Sequence, residues 1–277
     1  MDQQELPVDH ISRLPEGCLA LLLSFTTPRD SAVSPAFLSA AQSDLVWVGF
    51  LPRDFRDILR RSSTPVATPS MRELYFRLCD SILIDGDDKM LWLEKPTGKK
   101  CGMLSARALG IIWGQDTRYW RWVSVPDARF PEVAELKQVC WLEITARISS
   151  RYLSPGTTYT AYLVMRLSDA PYGLDEPPQE TEISVGGVQS SVRRIRLQER
   201  STPLHEPWRG RRGRRAPTPH EVGAQSRRPP GEQDGACLPR PRADGWMEVE
   251  MGDFFVEEGG VEEAVDVRLR GWQRLHW

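Results

Sequence analysis

Thr157 to Leu167 reads TTYTAYLVMRL. Tyr159, Ala161, Leu163, Met165 and Leu167 fall on one side of this run, with Thr158, Thr160, Tyr162 and Val164 between them. Alternation with a period of two is the pattern of a strand with one face in a core. The same pattern occurs in VCWLEITARI (Val139 to Ile148), where Cys140, Leu142 and Ile144 oppose Trp141, Glu143 and Thr145. It occurs again in WMEVEMGDFF (Trp246 to Phe255), and Leu91-Trp92-Leu93 adds a shorter strand. Gly186-Gly187 reads as a turn and not as a phosphate cradle. Several short alternating strands separated by Gly and Pro turns predict an antiparallel β-sandwich over residues 89–277.

Toward the N-terminus the period changes to that of helices. Leu19, Leu22 and Leu23 sit at i, i+3 and i+4 after Leu14-Pro15, and Leu21 is apolar as well. A helix apolar on more than one side meets two surfaces, its own core and something else. Ser34-Pro35 opens a second helix carrying Phe37, and Asp44 a third with Val46, Trp47, Phe50 and Leu51 before Pro52. Three short helices in 11–52 are marginal alone and gain stability from a partner. Residues 53–88 read as a helical or linker segment. Ser, Thr and Pro crowd Arg60 to Ser70, and Ser70 followed by Glu73 makes a capping box for one more helix.

Composition narrows the function classes. The chain has 277 residues, and no stretch is long and apolar enough for a membrane helix. Met1 to His10 lacks the basic and apolar regions of a secretory signal. Five cysteines without a C-x-x-C pair, and four histidines, predict reduced, mostly buried thiols with no disulfide framework and no metal site. The net charge of −2 hides two opposed segments. Arg200 to Ala243 holds ten Arg against four acids, 10 − 4 = +6, while Asp244 to Trp277 holds three Arg against nine acids, 3 − 9 = −6. The first of these also carries eight Pro and five Gly and reads as a disordered insert. Its RGRRGRR run could touch phosphates, but a solvated loop is the simpler reading, and nucleic acid is not expected as a partner. No G-x-S-x-G, Walker A or H-E-x-x-H pattern occurs, so no enzyme class and no cofactor is indicated.

Two groups of motifs carry a resemblance. ISRLPEGCLALLLSFTTPRD (Ile11 to Asp30) and AVSPAFLSAAQSDLVWVGFLP (Ala32 to Pro52) resemble the F-box of plant F-box proteins. GIIWG, YWRW, AELKQVCWLEI and DGWMEVEMGDFF are similar to the phloem-lectin, Nictaba-like domain that one plant family fuses to an F-box. The resemblance implies a multidomain α and β protein, a helical F-box bundle followed by an antiparallel, jelly-roll-like β-sandwich. It implies a substrate-recognition subunit of an SCF-type, cullin–RING ubiquitin ligase, acting in cytoplasm and nucleus and catalysing nothing itself. Leu14, Pro15, Leu19, Leu22 and Leu23 would then face a Skp-type adaptor, with Phe37, Trp47 and Leu51 completing the bundle and its edge. A glycan or glycoprotein target would stack on Trp113 and Trp120, with Asp116, Arg118 and Arg121 binding hydroxyls. Trp122, Trp141 and Trp246 are then expected in the core.

The alternative is a nucleo-cytoplasmic lectin whose F-box no longer docks. Only Ser31-Ala32 separates Asp30 from Val33, about one helical turn less than the family has. The resemblance also lapses in the final EEAVDVRLRGWQRLHW, and the further apolar strand with which the family finishes is not found. That leaves the expectation of an unpaired sheet edge.

Overall fold

The computed structural model describes residues 14–28, 40–169, 171–199 and 235–272. Four α-helices are described, α1 Glu16–Leu23, α2 Asp44–Phe50, α3 Phe55–Arg60 and α4 Met71–Cys79. Ser70 caps α4 through the hydrogen bond that its side chain accepts from the Glu73 N–H at 3.2 Å, one half of the expected box. The helix expected after Ser34, with Phe37, lies outside the described residues.

The helices share one core with a three-stranded sheet, β1 Ile82–Ile84, β2 Lys89–Leu93 and β3 Lys100–Leu104. Leu19, Leu23, Trp47, Phe50 and Leu51 meet Ile58, Leu74, Tyr75 and Leu78, and beyond them Ile84, Leu91 and Leu93. Residues 53–88 hold α3 and α4 and supply Ile58, Leu74, Tyr75, Leu78, Ile82 and Ile84 to this core. Ser62 bridges to Ile84 within the stretch read as linker. The 89–93 strand, expected in the sandwich, packs on the helices instead, because its apolar Leu91 and Leu93 face them.

The rest is β. Short strands β4 Gly110–Ile111, β5 Trp120–Val123 and β6 Val133–Leu136 precede the long β7 Trp141–Ser149 and β8 Thr157–Met165. Then come β9 Gln179–Val185, β10 Val188–Ile195, β11 Arg240–Pro241, β12 Met247–Val256 and β13 Ala264–Trp272. One sheet has the order β10-β9-β13-β7-β4, a second β11-β12-β8, and β5 pairs with β6 alone. All these ladders are antiparallel. Val249, Met251 and Phe254 of the second sheet pack with Ile183, Val265 and Leu269 of the first, so the two lie face to face. Gly186 and Gly187, at φ +57° and +82°, make the two-residue turn of the β9–β10 hairpin, where both positions need the left-handed region.

Three expectations change. The segment after Glu263, in which the family pattern lapses, is β13, paired on both sides inside the larger sheet. The insert read as disordered reaches into the fold at its end, since Cys237 bridges Ile195 and Arg240-Pro241 pairs with β12. Residues 200–234 lie outside the described ones. The thiols are not mostly buried, because Cys18 and Cys140 are exposed and Cys79, Cys101 and Cys237 only partly covered.

A polar joint ties the helical head to the sandwich. The buried Lys100 ammonium donates to Arg151 O at 2.7 Å and to Asp54 Oδ2 at 3.1 Å. The Tyr159 hydroxyl donates to Lys100 O at 2.8 Å and accepts from the Ser154 N–H at 2.7 Å. Nearby, Asp85 accepts two bonds from Arg61 and one from Lys89, each at 2.8 Å, and one from the Tyr152 hydroxyl at 3.2 Å. The Arg61 hydrogen bonds hold the Asp85 carboxyl far below the usual carboxylate range. A depressed acid stabilises the fold above about pH 4 and loses that contribution as pH falls through its folded value. Asp85→Asn should therefore lower the urea midpoint at neutral pH and leave a smaller gap to wild type in strong acid. Equal gaps at both pH values would rule out the ionised carboxylate as the cause.

Candidate functional site

Two surfaces carry the residues singled out by the sequence. The first is on α1 and α2. Pro15, with its φ fixed near −55°, is the residue before α1, and Leu19 and Leu23 turn inward to the core. Trp47 is buried beside them, its indole N–H bonded to Ala41 O, and Leu51 is buried at the end of α2. Of the residues expected to face an adaptor, Leu14, Pro15 and Leu22 are exposed, whereas Leu19, Leu23, Trp47 and Leu51 hold the head together. Leu21 (60% exposed) on α1, Phe25 (80%) just after it, and Leu45 (70%) and Val48 on α2 enlarge the exposed set. The run LALLL with Phe25 signals this surplus, since one helix face cannot bury it all.

The second surface is the loop between β4 and β5. Trp113 is 38% exposed and sits at φ +55°. A bulky side chain in the left-handed region is strained and persists only where its surroundings impose it. Two indoles supply that restraint. Trp120 donates its N–H to Ile112 O at 3.1 Å, and Trp122 donates its own to Gly114 O at 2.9 Å. The YWRW strand thus grips the carbonyls on either side of Trp113. The Trp113 ring leans on Tyr119, centroids 5.2 Å apart and planes at 37°.

This geometry corrects one expected role. Trp120 is 4% exposed and packs among Val139, Leu142 and Leu269, so it has no ring face to offer a ligand. Packing of that face of β5 on the sandwich core is the physical reason, and alternation turns Arg121 to the other face. Trp122, expected in the core, is only half-buried, and the Arg107 guanidinium lies 3.7 Å from its ring centre. Glu132 holds Arg107 through bonds of 2.7 and 2.9 Å. Trp141 and Trp246 are also only partly covered, and Trp246 lies under the Arg166 guanidinium.

The expected polar partners are present but engaged. Asp116 takes the Arg118 guanidinium at 2.6 to 3.1 Å and the Arg118 N–H at 2.9 Å. The Arg118 hydrogen bonds bring the Asp116 carboxyl down to about 2. Arg121, on the opposite side of β5 from Trp120, pairs with Glu135 of β6 at 2.7 to 2.9 Å. Trp113, Tyr119, Asp116 and Arg118 therefore form one loop cluster, while Arg121 belongs to the neighbouring ladder. Tyr119 is the member that sequence reasoning missed, although it stands in the same YWRW run. The cluster can stack a ring face and offer charged groups to hydroxyls around it.

A mostly β protein with a small helical head and an aromatic loop on its sandwich is the class these features define. Comparison with known proteins narrows it. The family model for phloem protein 2 matches residues 99–277. F-box protein PP2-B15 of Arabidopsis thaliana is 40% identical over 273 residues, 94% of this chain and 91% of that protein. F-box protein PP2-B10 of the same plant is 39% identical over 260 residues, 92% and 84% of the two chains, and F-box protein VBF is 38% identical over 260, 91% and 89%. The chain belongs to the plant F-box proteins that carry a phloem protein 2, lectin-like domain.

Proposed function

We propose that the chain recruits targets to an SCF-type, cullin–RING ubiquitin ligase in cytoplasm and nucleus, without catalysing a step itself. The head, residues 11–52 with the support of 53–88, docks a Skp-type adaptor, and the sandwich binds a glycan or glycoprotein through the Trp113 loop. The observation that carries this reading is the set of exposed apolar side chains Leu21 and Leu22 on α1, Leu45 and Val48 on α2, and Leu14 and Phe25 just beyond the two ends of α1. Large apolar side chains left exposed on neighbouring elements mark an interface when they join into one patch.

Pull-down with a plant Skp-type adaptor tests it. Wild type should be retained, and Leu22→Asp with Leu45→Asp should abolish retention while the thermal midpoint moves little, since both side chains lie outside the core. An adaptor that fails to retain wild type would refute docking. The second reading, sugar binding without ligase recruitment, is favoured by the Trp113 loop, which β4, β5 and β7 hold without help from the head. A glycan array on the Leu22→Asp, Leu45→Asp chain separates the two, since binding there should be unchanged.

A further inference from the structure

Lysine is scarce in this chain and confined to one part of it. Of the 36 Lys and Arg residues, only Lys89, Lys95, Lys99, Lys100 and Lys137 are lysines, so 36 − 5 = 31 are arginines. Residues 1–88 and 138–277 contain none, and all five lysines lie among the described residues. The two cations share a charge but not a chemistry. A guanidinium stays protonated and is no nucleophile in water, whereas a lysine amine can lose its proton and attack an activated carbonyl. For a subunit that holds targets beside a ubiquitin-charged enzyme, every accessible lysine of its own competes with those of the target.

The five differ in what their ammonium groups hold. Lys100 is buried between Asp54 and Arg151 O. Lys89 pairs with Asp85 and lies 5.2 Å from the Tyr152 ring centre. Lys137 is exposed but donates to Thr117 O at 2.8 Å. Lys95, also exposed, lies 5.3 Å from the Phe76 ring centre. Lys99 is exposed, and among the described residues its ammonium has no hydrogen bond, ion pair or ring contact. Its backbone, by contrast, is fixed. The turn between β2 and β3 closes through bonds from the Glu94 N–H to Lys99 O and from the Gly98 N–H to Glu94 O, each 2.8 Å. Gly98, at φ +70°, leaves only 2.8 Å between Phe50 O and the place where a Cβ would stand, so the turn is seated on the end of α2.

We infer that Lys99 is where the ligase conjugates ubiquitin to this chain itself, and that the arginine bias keeps the rest of the surface from competing. The inference rests on the ligase reading above. The deprotonated Nζ of Lys99 attacks the thioester carbonyl of ubiquitin carried on a conjugating enzyme. An isopeptide C–N bond forms, the thioester C–S bond breaks, and the leaving cysteine thiolate takes up the proton that the amine loses. Lys99 reaches such a thioester without giving up any contact, whereas Lys137 and Lys89 must first break theirs.

Reconstitution of the full chain with a plant Skp-type adaptor, a cullin–RING core, and ubiquitin with its activating and conjugating enzymes tests this with no target added. Tryptic digestion should leave the branched Gly-Gly remnant of ubiquitin on Lys99. Lys99→Arg keeps the charge and should lose the ubiquitin-shifted bands, whereas Lys95→Arg and Lys137→Arg should keep them. Arg53→Lys, at an exposed position of the head, should bring the bands back in the Lys99→Arg chain. A lysine at 53 that stays unmodified would refute the role given to arginine. Bands that persist in Lys99→Arg, or a remnant chiefly on Lys95, Lys137 or the N-terminal amine, would overturn the assignment. So would an unmodified chain in a ligase that builds ubiquitin chains, an outcome that leaves the docking reading standing. A chain that the adaptor does not retain overturns both.

Discussion

Alanine at Trp120 is expected to destabilise the chain by about 3–5 kcal/mol, the range for deleting a large buried aromatic ring. The indole is 4% exposed and packs between the strands of the sandwich. Its N–H also satisfies Ile112 O, and the loss would leave that carbonyl without this donor. Alanine at Trp113 should behave differently. The residue is 38% exposed and its ring lies outside the sandwich core, so the denaturation midpoint should fall by less than for Trp120→Ala. Retention on a glycan matrix should nevertheless vanish. Urea denaturation and glycan retention measured on both variants separate a core tryptophan from a ligand platform. If Trp120→Ala kept the wild-type midpoint, the inward placement of its ring would be wrong.

Leu269→Ala should cost about 2–5 kcal/mol. Leu269 is fully buried on β13, which has β7 on one side and β9 on the other. A strand paired on both sides is a load on both neighbours, and the cavity would open where Trp120, Leu142 and Val249 meet. Val261→Ala, outside any strand with its side chain 86% exposed, is the control and should be neutral. Calorimetric midpoints of the two variants decide whether the last segment is integral to the sandwich.

The β character of the second half was legible because alternation survives in single strands. Val139 to Ile148, Thr157 to Leu167 and Trp246 to Phe255 match β7, β8 and β12 within two residues at either end. The start of α2 and the Ser70 cap were legible for a similar reason, since capping is local chemistry. β13 was not recognised, although Val265, Val267 and Leu269 alternate. Its charged face, Asp266, Arg268 and Arg270, pairs with Arg147, Glu143 and Glu182, partners far away in sequence. Sheet membership of 89–93 was misjudged because period two shows that a strand has a buried face, not which core that face meets. In the site, residue type and run were readable, so Trp113, Asp116 and Arg118 do share one loop. Trp120 and Trp122 share one face of β5, and whether that face or the one with Arg121 turns inward is a strand phase that the sequence leaves free.

The joint at Lys100 has a mechanical meaning. Lys100 is held through its ammonium, its N–H and its carbonyl, by Asp54, Arg151, Ser154 and Tyr159. A grip from that many directions resists twisting as well as pulling. If the head docks an adaptor and the sandwich a target, as proposed above, this joint would hold the two at one reach, as a lever with a set arm. On such a lever, selectivity depends on where an attacked group lies along an arc as well as on how well its bearer is held. Loosening the fulcrum would blur the arc while leaving both grips as strong as before.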